Sequence, residues 1–436
     1  MSSLNKIISK YFNNKFLKNV AYLVGGTAGA QLLMICFAPF VTRIFGPKAY
    51  GVLGEFIAIS NLMIPVAALT YPIAIVLPKK DEDALNIVKL SVFVSMMFSI
   101  IVFIVLSLKY ENINLFIGIS QSLRDYIIFI PIAVFFGGIQ QIYEQWNIRN
   151  KHFKITAHAN IIQTVIVNLI TIIVGVSKPF AYVLVIGATV KGLLYGVIVT
   201  VLSEKINKQE GGIKNLLLFD AKKIKSIGRE YYDFPVYRAP QVFINALSQS
   251  IPVLMLASMY GHTYAGYYAI GRAVLGLPTQ LVGKSVADVF YPRFVEARHN
   301  ANNISKLLKK TIVWLTLVAV IPYGSIIIGG PWIFKMVFGD EWYIAGQYAQ
   351  WLSFMSFFTF ISRPSIIAIP VLNMQKTLLL FEVYSIVLRV LGFFIGYYWF
   401  KTDISAVIGF SLAGGIIYMQ LMWIVFTKSL KYNFVV

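Results

Sequence analysis

The stretch PFAYVLVIGATVKGLLYGVIVTVL, residues 179–202, is apolar from end to end except for one charge, Lys191, near its centre. At about 1.5 Å per residue, a helix of this length spans the roughly 30 Å hydrocarbon core of a bilayer. The run is continuous and lacks the ten-residue alternation of a membrane β-strand, so a transmembrane helix is predicted. A charge at that depth costs roughly 2.5–3.5 kcal/mol on insertion scales. Lys191 therefore implies an aqueous cavity and something anionic that visits it.

Similar windows recur along the chain. With 179–202 they make twelve, the others at about 20–42, 49–77, 86–108, 123–146, 156–176, 234–257, 264–287, 310–330, 346–372, 378–400 and 404–427. The predicted fold class is an all-α integral membrane protein of twelve transmembrane helices. Composition agrees: 58% of residues are hydrophobic, only 13% are charged, and mean hydropathy is +0.72. A soluble domain has no reason to carry so little charge.

The net charge of +20 raises a nucleic-acid reading, which its placement removes. Under the twelve-span reading, most Lys and Arg residues fall on the side of the N-terminus. They include Lys6, Lys10, Lys15 and Lys18, then Lys79 and Lys80, Arg149 to Lys154, Lys205 to Arg229, and Arg293 to Lys310. This is the positive-inside pattern, and it puts both termini in the cytoplasm. Leu4, Ile7, Ile8, Tyr11, Phe12 and Phe16 share one helical face, which suits a helix lying on the cytoplasmic leaflet among membrane lipids.

The spans divide six and six. Residues 1–202 form an expected N-terminal lobe, 203–233 a cytoplasmic linker with a second amphipathic helix, and 234–436 a C-terminal lobe. The halves echo each other weakly: Gly46-Pro47-Lys48-Ala49-Tyr50-Gly51 opens the second span, and Gly261-His262-Thr263-Tyr264-Ala265-Gly266 opens the eighth. Such an echo points to a parallel repeat, with substrate bound between the halves. Prolines at 39, 65, 72, 131, 278, 322, 364 and 370 fall inside spans and predict kinks.

Two further basic residues share the central position of Lys191: Arg272, in Tyr268-Ala269-Ile270-Gly271-Arg272-Ala273, and Arg389. Arg363, beside Pro364, and Arg238 lie nearer the cytoplasmic side and complete the candidate substrate-binding set. Pairing with carboxylates or carbonyls is the alternative for each. Glu55 and Glu382 are the candidate charge partners or coupling groups; Glu382 lies seven residues before Arg389 on the same helix face. Tyr260, Tyr264, Tyr267 and Tyr268 form an aromatic cluster suited to stacking on sugars or to an interfacial belt. No Walker loop, HExxH, CxxC or nucleophile elbow is present, so neither enzymatic activity nor a cofactor is expected.

The run Gly25-Gly26-Thr27-Ala28-Gly29-Ala30-Gln31, then Pro39-Phe40-Val41-Thr42-Arg43-Ile44-Phe45-Gly46-Pro47 and Tyr50-Gly51, resembles the Wzx polysaccharide flippases. These belong to the multidrug/oligosaccharidyl-lipid/polysaccharide exporter superfamily. Tyr71 to Pro78 and Tyr264-Ala265-Gly266-Tyr267-Tyr268 resemble it too. The resemblance implies two six-helix lobes around a central cavity with alternating access, in a bacterial inner membrane. It implies as cargo an undecaprenyl-pyrophosphate-linked oligosaccharide, moved to the periplasmic leaflet for O-antigen or capsule assembly. A proton or sodium ion for coupling and a polysaccharide polymerase are the further partners expected. The related lipid II flippases carry extra C-terminal spans and first-lobe cavity arginines, which this sequence lacks. An ion-coupled antiporter of drugs or organic cations is the alternative, and a membrane scaffold for polysaccharide enzymes a third.

Overall fold

The computed structural model describes residues 15–108, 121–206, 221–299, 304–372 and 374–432. The expected N-terminal amphipathic face falls largely on residues 4–12, and part of the 203–233 linker on 207–220; both stretches lie outside the described residues. Every described element is helical. In chain order they are α1 (Lys15–Met63), α2 (Asp81–Leu108), α3 (Phe129–Arg149), α4 (Phe153–Ser177), α5 (Ala181–Ile206), α6 (Ala221–Glu230) and α7 (Ala239–Tyr260). Then follow α8 (His262–His299), α9 (Ile304–Phe338), α10 (Tyr343–Ile361), α11 (Arg363–Val371), α12 (Gln375–Phe400) and α13 (Asp403–Tyr432).

Helix, α or 3-10, covers most of each of the twelve windows. The first two are joined in α1, which is interrupted at Gly46 (φ 66°, ψ 175°), a backbone state open to glycine and costly for other residues. Among the described residues eight helices are long and apolar enough to cross a bilayer unaided. The α10–α11 pair, bent by 40° at Ser362, makes a ninth. Pro364 lies just after that bend, where its missing N–H and ring disfavour a straight continuation. The chain is a multi-pass membrane protein.

One expected span differs in form. Window 49–77 is α-helical only to Met63, after which the chain takes 3-10 turns at Ile64–Val66 and Tyr71–Val76. Pro65 and Pro72 cannot donate to the preceding turn, and Leu69 and Thr70 both adopt positive φ. Side chains anchor the irregular segment, and Gln141 Nε2 donates to its Ile64 carbonyl at 2.7 Å. Thr70 Oγ1 donates to Phe234 O at 3.0 Å, and Tyr71 Oη to Gly228 O at 3.1 Å. Pro39, Pro131, Pro278 and Pro322, by contrast, lie within continuous helix.

The chain forms two compact units, residues 1–45 with 52–259, and residues 46–51 with 260–436. In the first, α6 turns Ile224 and Ile227 into a core with Tyr71, Ile75, Ile87 and Leu90. Its other face is polar: Lys223 Nζ reaches Glu82 Oε1 at 2.5 Å. Helix α7 packs in this unit as well, with Ser250 Oγ donating to Ala58 O at 2.8 Å. In the second unit the two echoed sequences meet. A Cβ on Gly51 would overlap His262 O, and one on Gly266 would overlap Pro47 O. Both motifs begin with a positive-φ glycine, Gly46 at 66° and Gly261 at 98°.

Arg149 closes the end of α3 in the first unit. Its guanidinium donates to Asp81 Oδ1 at 2.7 Å, to Pro78 O at 2.7 Å and to Ile75 O at 3.1 Å, with only 10% of the side chain exposed. Replacing Arg149 with Ala strands the carbonyl of Ile75 in the 3-10 segment and that of Pro78 just after it, at about 1–3 kcal/mol for a buried group left unsatisfied. Thermal unfolding of the detergent-purified variant should show a lower midpoint, and Arg149→Lys should recover only part because one ammonium cannot reproduce the fork.

Candidate functional site

Within the first unit, α1, α3, α4 and α5 line a half-open chamber of about 250 Å³. Helix α1 contributes Ala30, Gln31 and Met34, and α3 contributes Gln140, Glu144 and Ile148. Helix α4 adds Thr156, Asn160, Gln163 and Thr164, and α5 adds Lys191. Lys191 stands ten residues into α5, or about 15 Å along its axis. It is an exposed side chain in a chamber lined by amides and hydroxyls together with Ala30, Met34 and Ile148. The chamber thus gives the cation of the sixth span polar surroundings at mid-helix depth.

Small residues make the chamber. Beside Lys191, Gly192 lies against the α3 backbone, where a Cβ would come within 2.5 Å of Phe136 O. That close approach sets the distance between the helix carrying Glu144 and the helix carrying Lys191. Gln140 Nε2 donates to Glu144 Oε1 at 2.9 Å, the i, i+4 geometry of one helix face. Gln163 Nε2 donates to the Lys191 carbonyl, tying α4 to α5. At the chamber wall, Thr156 comes together with two further buried polar groups, Tyr195 and Asn147.

A basic cluster lies in the second unit. Arg272 and Arg389 both act electrostatically on Tyr268, a ring only 2% exposed. Arg389 Nη2 donates to Ser385 Oγ at 2.7 Å and its Nε to Ser385 O at 3.1 Å. Its guanidinium stands 5.9 Å from the Phe410 ring centroid, within cation–π range, and Tyr268 meets the same ring edge-on. Glu382 interacts electrostatically with Arg389 on α12. Arg363 begins α11 at the bend, near Tyr323, and its buried Nε has no hydrogen-bond partner among the described residues.

The expected site residues thus fall into distinct settings. Lys191 lines the first-unit chamber, whereas Arg272, Arg389 and Glu382 gather around α8, α12 and α13. Arg238 is exposed and donates to Gln241 Oε1 at 3.0 Å, outside the chamber lining. Glu55 is fully buried in the first unit. Of the tyrosine cluster, Tyr267 and Tyr268 are buried among other rings, so they serve packing and have little face left for stacking on sugars. Tyr260 and Tyr264 pair with each other, and Tyr260 Oη donates to Thr402 O at 2.9 Å. Glu144 and the amides at 31, 140, 160 and 163 were not singled out from sequence; their signal was a set of polar residues at i, i+3 and i+4 inside apolar windows.

The family model described as "Polysaccharide biosynthesis protein" matches residues 40–347, well over half of the chain. The chain belongs to that family. No curated protein matches it by sequence. Solved structures resemble it along most of its length. A lipid II flippase MurJ in an inward closed conformation aligns with TM-score 0.69 and 15% identity, over 94% of this chain and 90% of that one. An inward-facing MATE transporter of the MOP superfamily aligns with TM-score 0.64 and 11% identity, over 94% of both. A point mutant of the Vibrio cholerae MATE transporter VcmN gives TM-score 0.52 and 13% identity over the whole of both chains. The chain therefore shares the all-helical fold of these transporters along most of its length.

The close approach at Gly192 gives a direct test. Gly192→Leu should separate α3 from α5 and lower the unfolding midpoint of the purified protein markedly. Gly187→Ala, whose Cβ would meet only Thr171 Oγ1 at 3.1 Å and Val167 Cγ1 at 3.5 Å, should stay near wild type. Equal midpoints for the two variants would refute this account of the chamber wall.

Proposed function

We propose that this protein is a flippase for lipid-linked oligosaccharide. In this reading it moves an undecaprenyl-pyrophosphate-linked repeat unit from the cytoplasmic to the periplasmic leaflet of a bacterial inner membrane. Its termini lie in the cytoplasm, and residues 1–202 and 234–436 act as two lobes alternating in access, joined by 203–233. The observation that carries the reading is a basic pair in the second unit: Arg389 stands 5.9 Å from the Phe410 ring that Tyr268 meets edge-on, and Arg272 lies about one turn from Tyr268 on α8. Guanidiniums held in low dielectric bind phosphate oxygens by charge-assisted, bidentate hydrogen bonds. Membership in a polysaccharide biosynthesis family and a fold shared with a lipid II flippase support the same reading. Arg363, at the helix break, would meet the headgroup during transit. A proton or sodium gradient would drive the cycle, with Glu55 or Glu382 as coupling groups, and a polysaccharide polymerase would receive the product.

A deletion strain should accumulate undecaprenyl-linked repeat units on the cytoplasmic leaflet; normal surface polysaccharide in that strain would refute the proposal. At equal membrane abundance, Arg272→Ala and Arg389→Ala should each cut export severely. Lys335→Ala should not, since Lys335 forms a half-exposed pair with Asp340 at 3.1 Å. Comparable export by all three variants would remove the basic cluster from the mechanism.

The MATE likeness and the fully buried Glu55 favour a second reading, an ion-coupled antiporter of organic cations. Drug-resistance profiling of an overexpressing strain separates the two.

A further inference from the structure

We propose that the first-unit chamber is a subsite for one uncharged pyranose ring of the glycan, an inference that rests on the lipid-linked saccharide reading and specifies its ligand. The first argument is charge balance. Lys191 and Glu144 line the same chamber, and no other charged residue does among the described residues, so its formal charge is zero. Pyrophosphate would gain from Lys191 and lose to Glu144 across the same chamber. A uronic acid meets the same opposition, and an amino sugar meets its mirror image at Lys191. An uncharged polyol meets neither.

The second argument is hydrogen-bonding capacity. Among the described residues, the Lys191 ammonium and the side-chain amides of Asn160 and Gln31 have no hydrogen-bond partner. Gln140 occupies one oxygen of Glu144 and leaves the other open. The chamber thus offers a charged donor, a charged acceptor and amides that serve as both. Ring hydroxyls, each donor and acceptor at once, match that mixture. Thr164 Oγ1 donates to Asn160 O at 2.7 Å, which leaves its lone pairs available to a hydroxyl donor.

The third argument is size. At about 250 Å³ the chamber falls below the roughly 300–1,000 Å³ of sites for drug-sized ligands, and it suits one ring better than a chain of several. The full oligosaccharide would therefore engage it through a single residue.

Saturation-transfer NMR on the full-length protein in nanodiscs tests this with N-acetylglucosamine, galactose, glucuronate and pyrophosphate as probes. The two neutral sugars should receive saturation, and pyrophosphate should not displace them. The signal should be lost in Asn160→Leu and reduced in Thr164→Val, a near-isosteric change that guards against misfolding, with unfolding midpoints checked for both. Glu144→Gln removes the balancing carboxylate and should shift preference from N-acetylglucosamine to glucuronate. Displacement of neutral sugars by pyrophosphate, glucuronate preference in the wild type, or signals unchanged in well-folded Asn160→Leu would each overturn the subsite, as would no transfer from either neutral sugar. These outcomes are separable from those of the flippase reading. A deletion strain with normal polysaccharide would end that reading while the NMR signals stood; a polysaccharide-negative strain with no NMR signal would end the subsite alone.

Discussion

An ammonium ten residues inside an apolar helix must replace the hydration it would have in water, because a bare charge in hydrocarbon is too costly to keep. The structure around Lys191 can be read as the answer to that demand. Three other helices turn polar faces toward it: Gln31 on α1, Gln140 and Glu144 on α3, and Asn160, Gln163 and Thr164 on α4. None of these helices could present amides and a carboxylate to lipid, so the charge on α5 and the polar stripes on its neighbours require one another. Gly192 permits the approach on which this mutual satisfaction depends, since any side chain there would strike the α3 backbone.

The contact between the Gly46–Gly51 and Gly261–Gly266 turns bears on how the chain is organised. Each motif opens on a glycine with positive φ and, five residues later, places a second glycine where the opposite motif leaves no room for a Cβ. From sequence the echo was weak, because glycine spacing alone is common. Reciprocal packing of equivalent positions is much harder to obtain by accident. It supports a parallel repeat in which the start of the second span and the start of the eighth are matching elements.

What could be read in the sequence follows from how local the relevant physics is. Hydrocarbon thickness acts on each span alone, so the apolar helices were legible one at a time, as was the position of Lys191 ten residues into α5. The interruption of window 49–77 was less so. Pro65 and Pro72 announced strain, but the alternative turn is held by Thr70 and Tyr71 bonding to Phe234 and Gly228, far along the chain. Partnership was least legible of all. Glu144 matters because α3 lies beside α5, and Tyr268 because α8 meets α12 and α13; no single-span pattern encodes either fact. The same limit explains Arg238, whose exposed position on a π-turn follows from tertiary placement and not from its depth in a hydropathy window.

The two units present different polar groups. In the second unit, Arg389 packs against the Phe410 ring that the buried Tyr268 also meets, Arg272 lies about one turn from Tyr268 on α8, and Glu382 acts on Arg389. In the first, a single cation and a single carboxylate share a space lined by amides. A lipid-linked saccharide has the corresponding division, with its negative charge concentrated in the phosphate linkage and its hydroxyls spread over the sugar. Phosphate recognition favours fixed, weakly hydrated, bidentate donors, which arginine supplies. Sugar recognition favours mixed donors and acceptors at low net charge, which amides and a balanced pair supply. A cavity that were uniformly cationic would hold both parts of an acidic cargo tightly and release neither easily. On the proposed reading, guanidiniums suit the anionic linkage and the amide-rich chamber suits the glycan, and weak, exchangeable hydrogen bonds are the condition a carrier needs if binding is not to become a trap.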